Sequence, residues 1–218
     1  MPKAVSKGQR TGRKSDYGVE ENNLAKGVKK GALLRAVFCF YDESGFSERP
    51  TVRRTWGKQG ETPVIRSTGS WKNISATGIV ATDAEMKNVR ALCTFTKGAV
   101  HQEDTVRTLR HLARHIKRPI ALLWDGLAQH RAKIVREFLA HKKNRFVIVE
   151  RFPAYAPELN PQEYVWASSK TKDMANFCPE EAGGLLRHAR RSIKRIQNSP
   201  HILRGALTKS GLFHGGGS

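Results

Sequence analysis

Acidic residues are scarce in this chain. Nineteen Asp and Glu stand against 39 Lys and Arg in 218 residues, a formal net charge of +20 and a pI of about 10.4. A surface so charged repels itself unless a polyanion shares it, so nucleic acid is the leading partner, although a membrane surface or a ribosome also fits the charge alone. Cysteine is scarce too. Cys39, Cys93 and Cys178 are odd in number and far apart, which excludes a disulfide framework or a zinc motif and reads as reduced thiols in an intracellular protein. No run reaches the roughly 18 apolar residues of a spanning helix. The N-terminus, MPKAVSKGQRTGRKSDYG, is basic but has no apolar core, so it is no secretory signal. The hydrophobic content, 39%, suffices for one domain with a core and tails to spare.

Residues 1–31 are polar, basic and without periodicity, and are expected to form a flexible arm, either solvated or lying on phosphates. Residues 32–41 (ALLRAVFCFY) read as a central strand covered on both faces, ending in Asp42-Glu43-Ser44-Gly45. Strand alternation decides which acid points where: if Cys39 and Tyr41 share one face, Phe40 and Asp42 share the other. Residues 51–65 (TVRRTWGKQGETPVI) suggest two short extended pieces about a Gly-Lys-Gln-Gly turn, with Trp56 packing on an edge and Arg53, Arg54 and Lys58 available to a DNA backbone. Residues 71–82 and 89–97 alternate as an antiparallel hairpin. A helix over 102–117 places Val106, Leu109, Ala113 and Ile116 on one face. Its His111 and His115 have metal-compatible spacing but sit on a cationic, solvated face.

Residues 119–124 (PIALLW) form a second buried strand that delivers Asp125-Gly126 at its tip. A helix over 131–142, with Ile134, Val135, Phe138 and Leu139 inward, leads to a strand at 146–150 and closes a right-handed parallel crossover. Three prolines, Pro153, Pro157 and Pro161, then forbid regular structure until Asn160, which suits a helix N-cap with Pro161 first and Glu163 third. Glu163 is thus either a capping acid or a ligand delivered to a site. The helix is expected to run to about residue 174. Another, over 179–197, carries Arg187, Arg190, Arg191, Lys194 and Arg195 opposite Leu186, Ala189, Ile193 and Ile196, the densest cationic face in the chain. A short helix over 200–209 follows, and residues 214–218 form a flexible tail.

The expected architecture is α/β: a mixed five-stranded sheet, three antiparallel strands then two parallel, flanked by helices over residues 32–213. Asp42 and Asp125 would meet at neighbouring strand tips, with Glu163 swung over them by its helix. Three carboxylates with open positions suit Mg²⁺ or Mn²⁺, and two such ions clamp the attacking and leaving oxygens of an in-line phosphoryl displacement.

FYDESGFSERP (40–50), TWGKQGETP (55–63), LLWDGLAQHRA (122–132) and AYAPELNPQEYVW (154–166) together resemble the catalytic domain of a DDE transposase of the mariner superfamily, in its bacterial insertion-sequence branch. The last block is the most specific, and the resemblance extends from about residue 32 to 213. It implies a ribonuclease H-like fold, a catalytic and metal-binding triad of Asp42, Asp125 and Glu163, and supporting roles for His130 and Asn160. It also implies cleavage at transposon ends with transfer of the freed 3′-hydroxyl into double-stranded target DNA, typically at TA, by a homodimer on DNA in the bacterial cytoplasm, at the nucleoid. The basic contacts expected are Arg53, Arg54, Lys58, Lys170, Arg187, Arg190, Arg191, Lys194 and Arg195. Two departures stand out. Gly126 replaces the Asn that often follows the second aspartate. The thirty-odd residues before the first strand are too few for the usual helix-turn-helix modules, so a separate polypeptide from an upstream reading frame is expected to read the ends. A truncated or domesticated DNA-binding relic is the alternative.

Overall fold

The structure is a computed structural model that describes residues 12–49, 51–65, 73–154, 156–179 and 183–213. The expected positions Trp71 and Tyr155, residues 1–11 of the arm and the tail 214–218 lie outside that set. Five strands form one sheet: β1 (Val37–Ser47), β2 (Asn73–Thr82), β3 (Arg90–Lys97), β4 (Ile120–Trp124) and β5 (Phe146–Arg151), in the order β3-β2-β1-β4-β5. β1 pairs antiparallel with β2, as β2 does with β3, while β4 lies parallel to both β1 and β5. The mixed sheet expected from the sequence is the one observed.

Alternation along β1 sorts the core into two layers. Phe38 and Phe40 point to one face and Cys39 and Tyr41 to the other, all fully buried. The Cys39 face is covered by α2 (Gln102–His115) and α3 (Lys133–His141), through Leu109, Leu112 and Val135. The Phe38 face is covered by α1 (Gly12–Leu33), α4 (Pro161–Ser168), α5 (Gly184–Gln197) and α6 (Pro200–Ser210), through Leu24, Val165, Trp166, Ala189, Ile193 and Leu203. Among the described residues, no helix is long and apolar enough to cross a membrane.

Several expectations need correction. Residues 12–33 are a helix, not a flexible arm. It carries no broad apolar stripe; it buries Leu24 and sets Gly27 against Glu150 and Ile148 and Gly31 against Phe38, so small residues bring its backbone close to the sheet. β1 starts at Val37 and continues past Asp42 to Ser47, because β2 follows it along that whole length. Residues 51–65 do hold the expected Gly-Lys-Gln-Gly turn, closed by Glu61 N–H on the Lys58 carbonyl with Gly60 in the left-handed region, and among the described residues only Thr51 of this stretch is bridged, to Ala175; Trp56, however, packs on no edge and is wholly exposed. Ile134 is on the outer side of α3, whose buried anchor is Val135. The helix that starts at Pro161 changes to a π-turn over Ser169–Asp173, and α5 begins at Gly184 behind Gly183 in the left-handed region (φ 80°) rather than at Pro179.

Candidate active site

The sheet opens beside Asp42. β1 and β4 pair in parallel only as far as Phe40 and Leu123, and β4 ends at Trp124. Beyond that point β1 keeps β2 on one side, with Asp42 opposite Gly78. Its other side faces the chain leaving β4, where Asp125 and Gly126 emerge. Phe152, Pro153, Ala156, Pro157 and the start of α4 close the gap and leave a cleft of about 190 Å³ lined by Asp42, Asp125, Asn160 and Glu163. The three acids singled out from the sequence therefore meet in one cleft, each brought by a different element.

Each acid is held by identifiable contacts. Asp42 is 7% exposed, and its Oδ2 accepts a 3.0 Å hydrogen bond from the Trp166 indole N–H. Trp166 reaches it because β2 carries Gly78 directly across from Asp42: a Cβ at 78 would overlap Trp166 and Gln162, so the missing side chain lets α4 settle onto the sheet. α4 starts where the sequence places it. The Asn160 side chain accepts from Gln162 N–H at 3.1 Å, and Pro161 takes the first helical position. Glu163 does not complete a capping box, since the Asn160 N–H already donates to the Pro157 carbonyl. Freed from capping, Glu163 sits in the first turn as an exposed acid on the cleft wall. Glu163 and Trp166 are one turn apart, so a single helix brings both to Asp42.

Asp125 accepts at Oδ1 from Leu127 N–H (3.0 Å) and from His130 Nδ1 (2.8 Å). His130 is 3% exposed and also meets Glu43 Oε1 through Nε2 at 3.1 Å. Burial pulls the imidazole's proton affinity down, but the hydrogen bonds to Asp125 and Glu43 outweigh it and raise its pKa to about 9, so both nitrogens donate. Glu43, Asp125 and His130 thus form a linked cluster whose candidate ligand atoms lie within 4.8 Å of one another. His130 Nδ1 also lies 3.3 Å from the Asp125 main-chain carbonyl, so in this structure the cluster is linked by hydrogen bonds through the imidazole.

Asp42 records the charge imbalance of the cleft. Burial, reinforced by the carboxylates of Glu163, Glu43 and Asp125, pushes its pKa from 3.8 up to about 8 against the opposing pull of the Trp166 N–H. Without a countercharge Asp42 keeps its proton at neutral pH. An all-oxygen donor set short of positive charge is what a hard divalent cation fits, and Asp42, Asp125 and Glu163 are the residues placed to hold one.

Sequence reasoning missed two residues here. Trp166 belongs to the motif block, yet its role as the donor that holds Asp42 emerges only from its place one turn after Glu163. Glu43 points away from the cleft, onto the Tyr41 face, and its signal was the same alternation that sent Asp42 inward. A Cβ added at Gly126 would meet no heavy atom within 4 Å.

The basic candidates are spread over the surface. Arg53, Arg54 and Lys58 are exposed in the 51–65 loop, where Asn176 brackets the Arg53 backbone and Lys58 pairs with Glu61 at 3.3 Å. Lys170 is half-buried with its ammonium 5.7 Å from the Phe46 ring centroid. Arg187, Arg190, Arg191 and Lys194 form the exposed face of α5. Arg195 turns inward to Asp173 (2.8 Å), which also accepts from Ser192, so this arginine pins the π-turn to α5.

A mixed β3-β2-β1-β4-β5 sheet flanked by helices, with acids gathered where β1 and β4 part, defines a ribonuclease H-like domain. The family model for the DDE superfamily endonuclease matches residues 37–178, which include all three acids, and the chain belongs to that family. Among solved structures it is similar to the Mos1 mariner paired-end complex with Mn (19% identity over 97% of this chain and 68% of that chain, TM-score 0.57). It is also similar to the Mos1 mariner paired-end complex with Mg (18%, 97% and 68%, TM-score 0.53) and to the Mos1 strand transfer complex (19%, 97% and 66%, TM-score 0.51). At these identities the likeness is one of fold. No curated protein sequence matches this chain.

Proposed function

We propose that this chain is the catalytic domain of a DDE DNA transposase in which Asp42, Asp125 and Glu163 hold two divalent cations, Mg²⁺ or Mn²⁺. The observation that carries this reading is the convergence of three carboxylates from β1, the end of β4 and the first turn of α4 on one cleft, with Asp42 left short of countercharge. Similar Mos1 structures are described with Mg and with Mn. Bound there, the cations would activate a water or 3′-hydroxyl and stabilise the leaving oxygen of a phosphodiester.

The rest of the work falls to the protein. Trp166 fixes one oxygen of Asp42, and Leu127 N–H and His130 fix one oxygen of Asp125, so each aspartate keeps its other oxygen for a ligand. The Asn160 cap fixes the direction in which α4 offers Glu163. Arg190, Arg191 and Lys194, with Arg187 beside them and Arg53, Arg54 and Lys58 in the 51–65 loop, supply the cationic surface for duplex DNA. Lys170 adds to that surface, while Arg195 serves the fold first. The proposal extends to cleavage of transposon ends and strand transfer into double-stranded target DNA at TA by a homodimer in the bacterial cytoplasm.

The test is a cleavage and strand-transfer assay on supercoiled and pre-nicked DNA in Mg²⁺, Mn²⁺ or EDTA, with wild type beside Glu163→Gln. Metal-dependent cutting that the variant lacks supports the proposal. Cutting that persists in EDTA or in the variant refutes the assignment, and tight DNA binding without cutting under any condition favours the relic.

A further inference from the structure

The Asp125 carboxylate is anchored through one oxygen. Leu127 N–H and His130 Nδ1 both reach Oδ1, which leaves Oδ2 available to the cleft. His130 is itself confined. Trp124 stacks on it with centroids 4.4 Å apart and planes 5° from parallel, and Tyr41 meets it edge-on at 5.2 Å. These rings fix the plane of the imidazole but not its turn within that plane, because a half-rotation about the Cβ–Cγ bond leaves nearly the same outline. The contact with Glu43 removes the ambiguity. With Nε2–H anchored on Glu43 Oε1 at 3.1 Å, Nδ1 falls against Asp125.

Glu43 is held at a cost. Its side chain is 10% exposed, and among the described residues its Oε2 is buried without a hydrogen bond of good geometry, although the Tyr41 hydroxyl, itself buried and unpaired, lies on the same face and interacts with it. A buried carboxylate oxygen without a good hydrogen bond costs stability, and a group retained at that cost calls for an explanation. It does not line the cleft, since β1 turns it to the face opposite Asp42. What it serves is His130.

We infer that Glu43 is a positioning residue: through His130 it orients the Asp125 carboxylate so that one oxygen is presented to a metal in the cleft. The inference rests on the reading of Asp125 as a metal ligand. His130 acts as a strut, with Nε2 on the Glu43 carboxylate and Nδ1 set between the carboxylate and the main-chain carbonyl of Asp125, and partners of this kind tune metal affinity without touching the ion.

The test is calorimetric titration of the DNA-free protein with Mg²⁺ and with Mn²⁺, comparing wild type, Glu43→Gln, Glu43→Ala and Asp125→Asn. Glu43→Ala should bind Mg²⁺ about 10–100-fold more weakly. Mn²⁺ should suffer less, because Mg²⁺ demands the stricter octahedral geometry. Glu43→Gln, whose amide oxygen can still accept from Nε2–H, should fall between. A residue that only stabilised the fold would change the melting temperature in EDTA and leave the order of the metal affinities alone. Wild-type affinity for both metals in folded Glu43→Ala overturns the inference. Wild-type affinity in Asp125→Asn overturns instead the ligand assignment beneath it. Should Glu43→Ala not fold, the ring ¹⁵N shifts of His130 in the wild-type protein decide: an Nδ1 proton bonded toward Asp125, with and without Mg²⁺, supports the strut, and a bare Nδ1 refutes it.

Discussion

Asp42→Asn should stabilise the metal-free protein at alkaline pH while it abolishes the response to metal. In the metal-free fold the Asp42 carboxyl holds its proton up to about pH 8, whereas in the unfolded chain it releases it near 3.8. The folded state therefore binds more protons between those values. The stability that the protonated carboxyl contributes is complete below pH 3.8 and is lost as pH rises through 8. At 1.36 kcal/mol for each tenfold change in proton affinity the ceiling is about 6 kcal/mol, and solvent in the cleft brings the measurable effect to about 2–4 kcal/mol. Asparagine keeps an oxygen for the Trp166 N–H, adds a donor toward the neighbouring carboxylates and carries no charge. In EDTA the variant should match wild type near pH 4 and exceed it at pH 8.5 by roughly 5–10 °C in Tm for a domain of this size. Excess Mg²⁺ should reverse the order: wild type gains about 2.7 kcal/mol at a hundred times its Kd, and the variant gains little. Thermal melts at the two pH values, with EDTA or Mg²⁺, measure all of this. An Asp42→Asn protein that is less stable than wild type at pH 8.5 in EDTA, or that gains as much from Mg²⁺, would refute the reasoning.

Other outcomes follow from the same geometry. Asp125→Asn and Glu163→Gln should lose cleavage and retain DNA binding and fold; since Glu163 makes no capping bond to the Asn160 N–H, Glu163→Gln should shift metal-free stability by less than about 0.5 kcal/mol in urea melts. Gly78→Ala should lower stability by about 1–3 kcal/mol and reduce cleavage with it, because the new methyl pushes Trp166 and Gln162, and with them α4, off the sheet; near-wild-type melting and activity would contradict the packing. Charge reversal at Arg190, Arg191 and Lys194 should weaken binding to all DNA sequences alike and reduce the slope of log K against log salt by about 2–3, read by fluorescence anisotropy across a salt series. Gly126→Asn should fold with wild-type stability to within about 0.5 kcal/mol, as a Cβ there meets no heavy atom within 4 Å.

The acids were legible because aspartates that follow all-apolar strands stand out, and because a Pro-rich stretch ending in Asn-Pro forces a helix to begin just before Glu163. Alternation along 38–43 gave the direction of Asp42 before any coordinates. The same rule, followed one residue further, leads to Glu43 on the opposite face, but its meaning depends on His130, 87 positions away and brought alongside only by the β4 crossover. α1 was illegible for a different reason. Among the described residues its contact with the sheet side is made by Leu24, Val28 and two glycines spaced a turn apart, a stripe with too few large apolar side chains to read. In the 51–65 loop the Gly-Lys-Gln-Gly turn was legible from its glycines, but the place of Trp56 was not: an aromatic there suggested edge packing, and it stands in solvent. Arg195 looks like its neighbours in sequence, and only the turn of the helix assigns it to Asp173.

The most direct test of the central claim is the anomalous signal of Mn²⁺ in crystals of the wild-type domain. The account predicts density in the cleft in contact with carboxylate oxygens of Asp42, Asp125 and Glu163, with His130 still bridging Glu43 and Asp125 and touching no metal. Manganese ligated by His130 and Glu43, or a cleft that stays empty at saturating Mn²⁺ while the protein is folded and binds DNA, would contradict it.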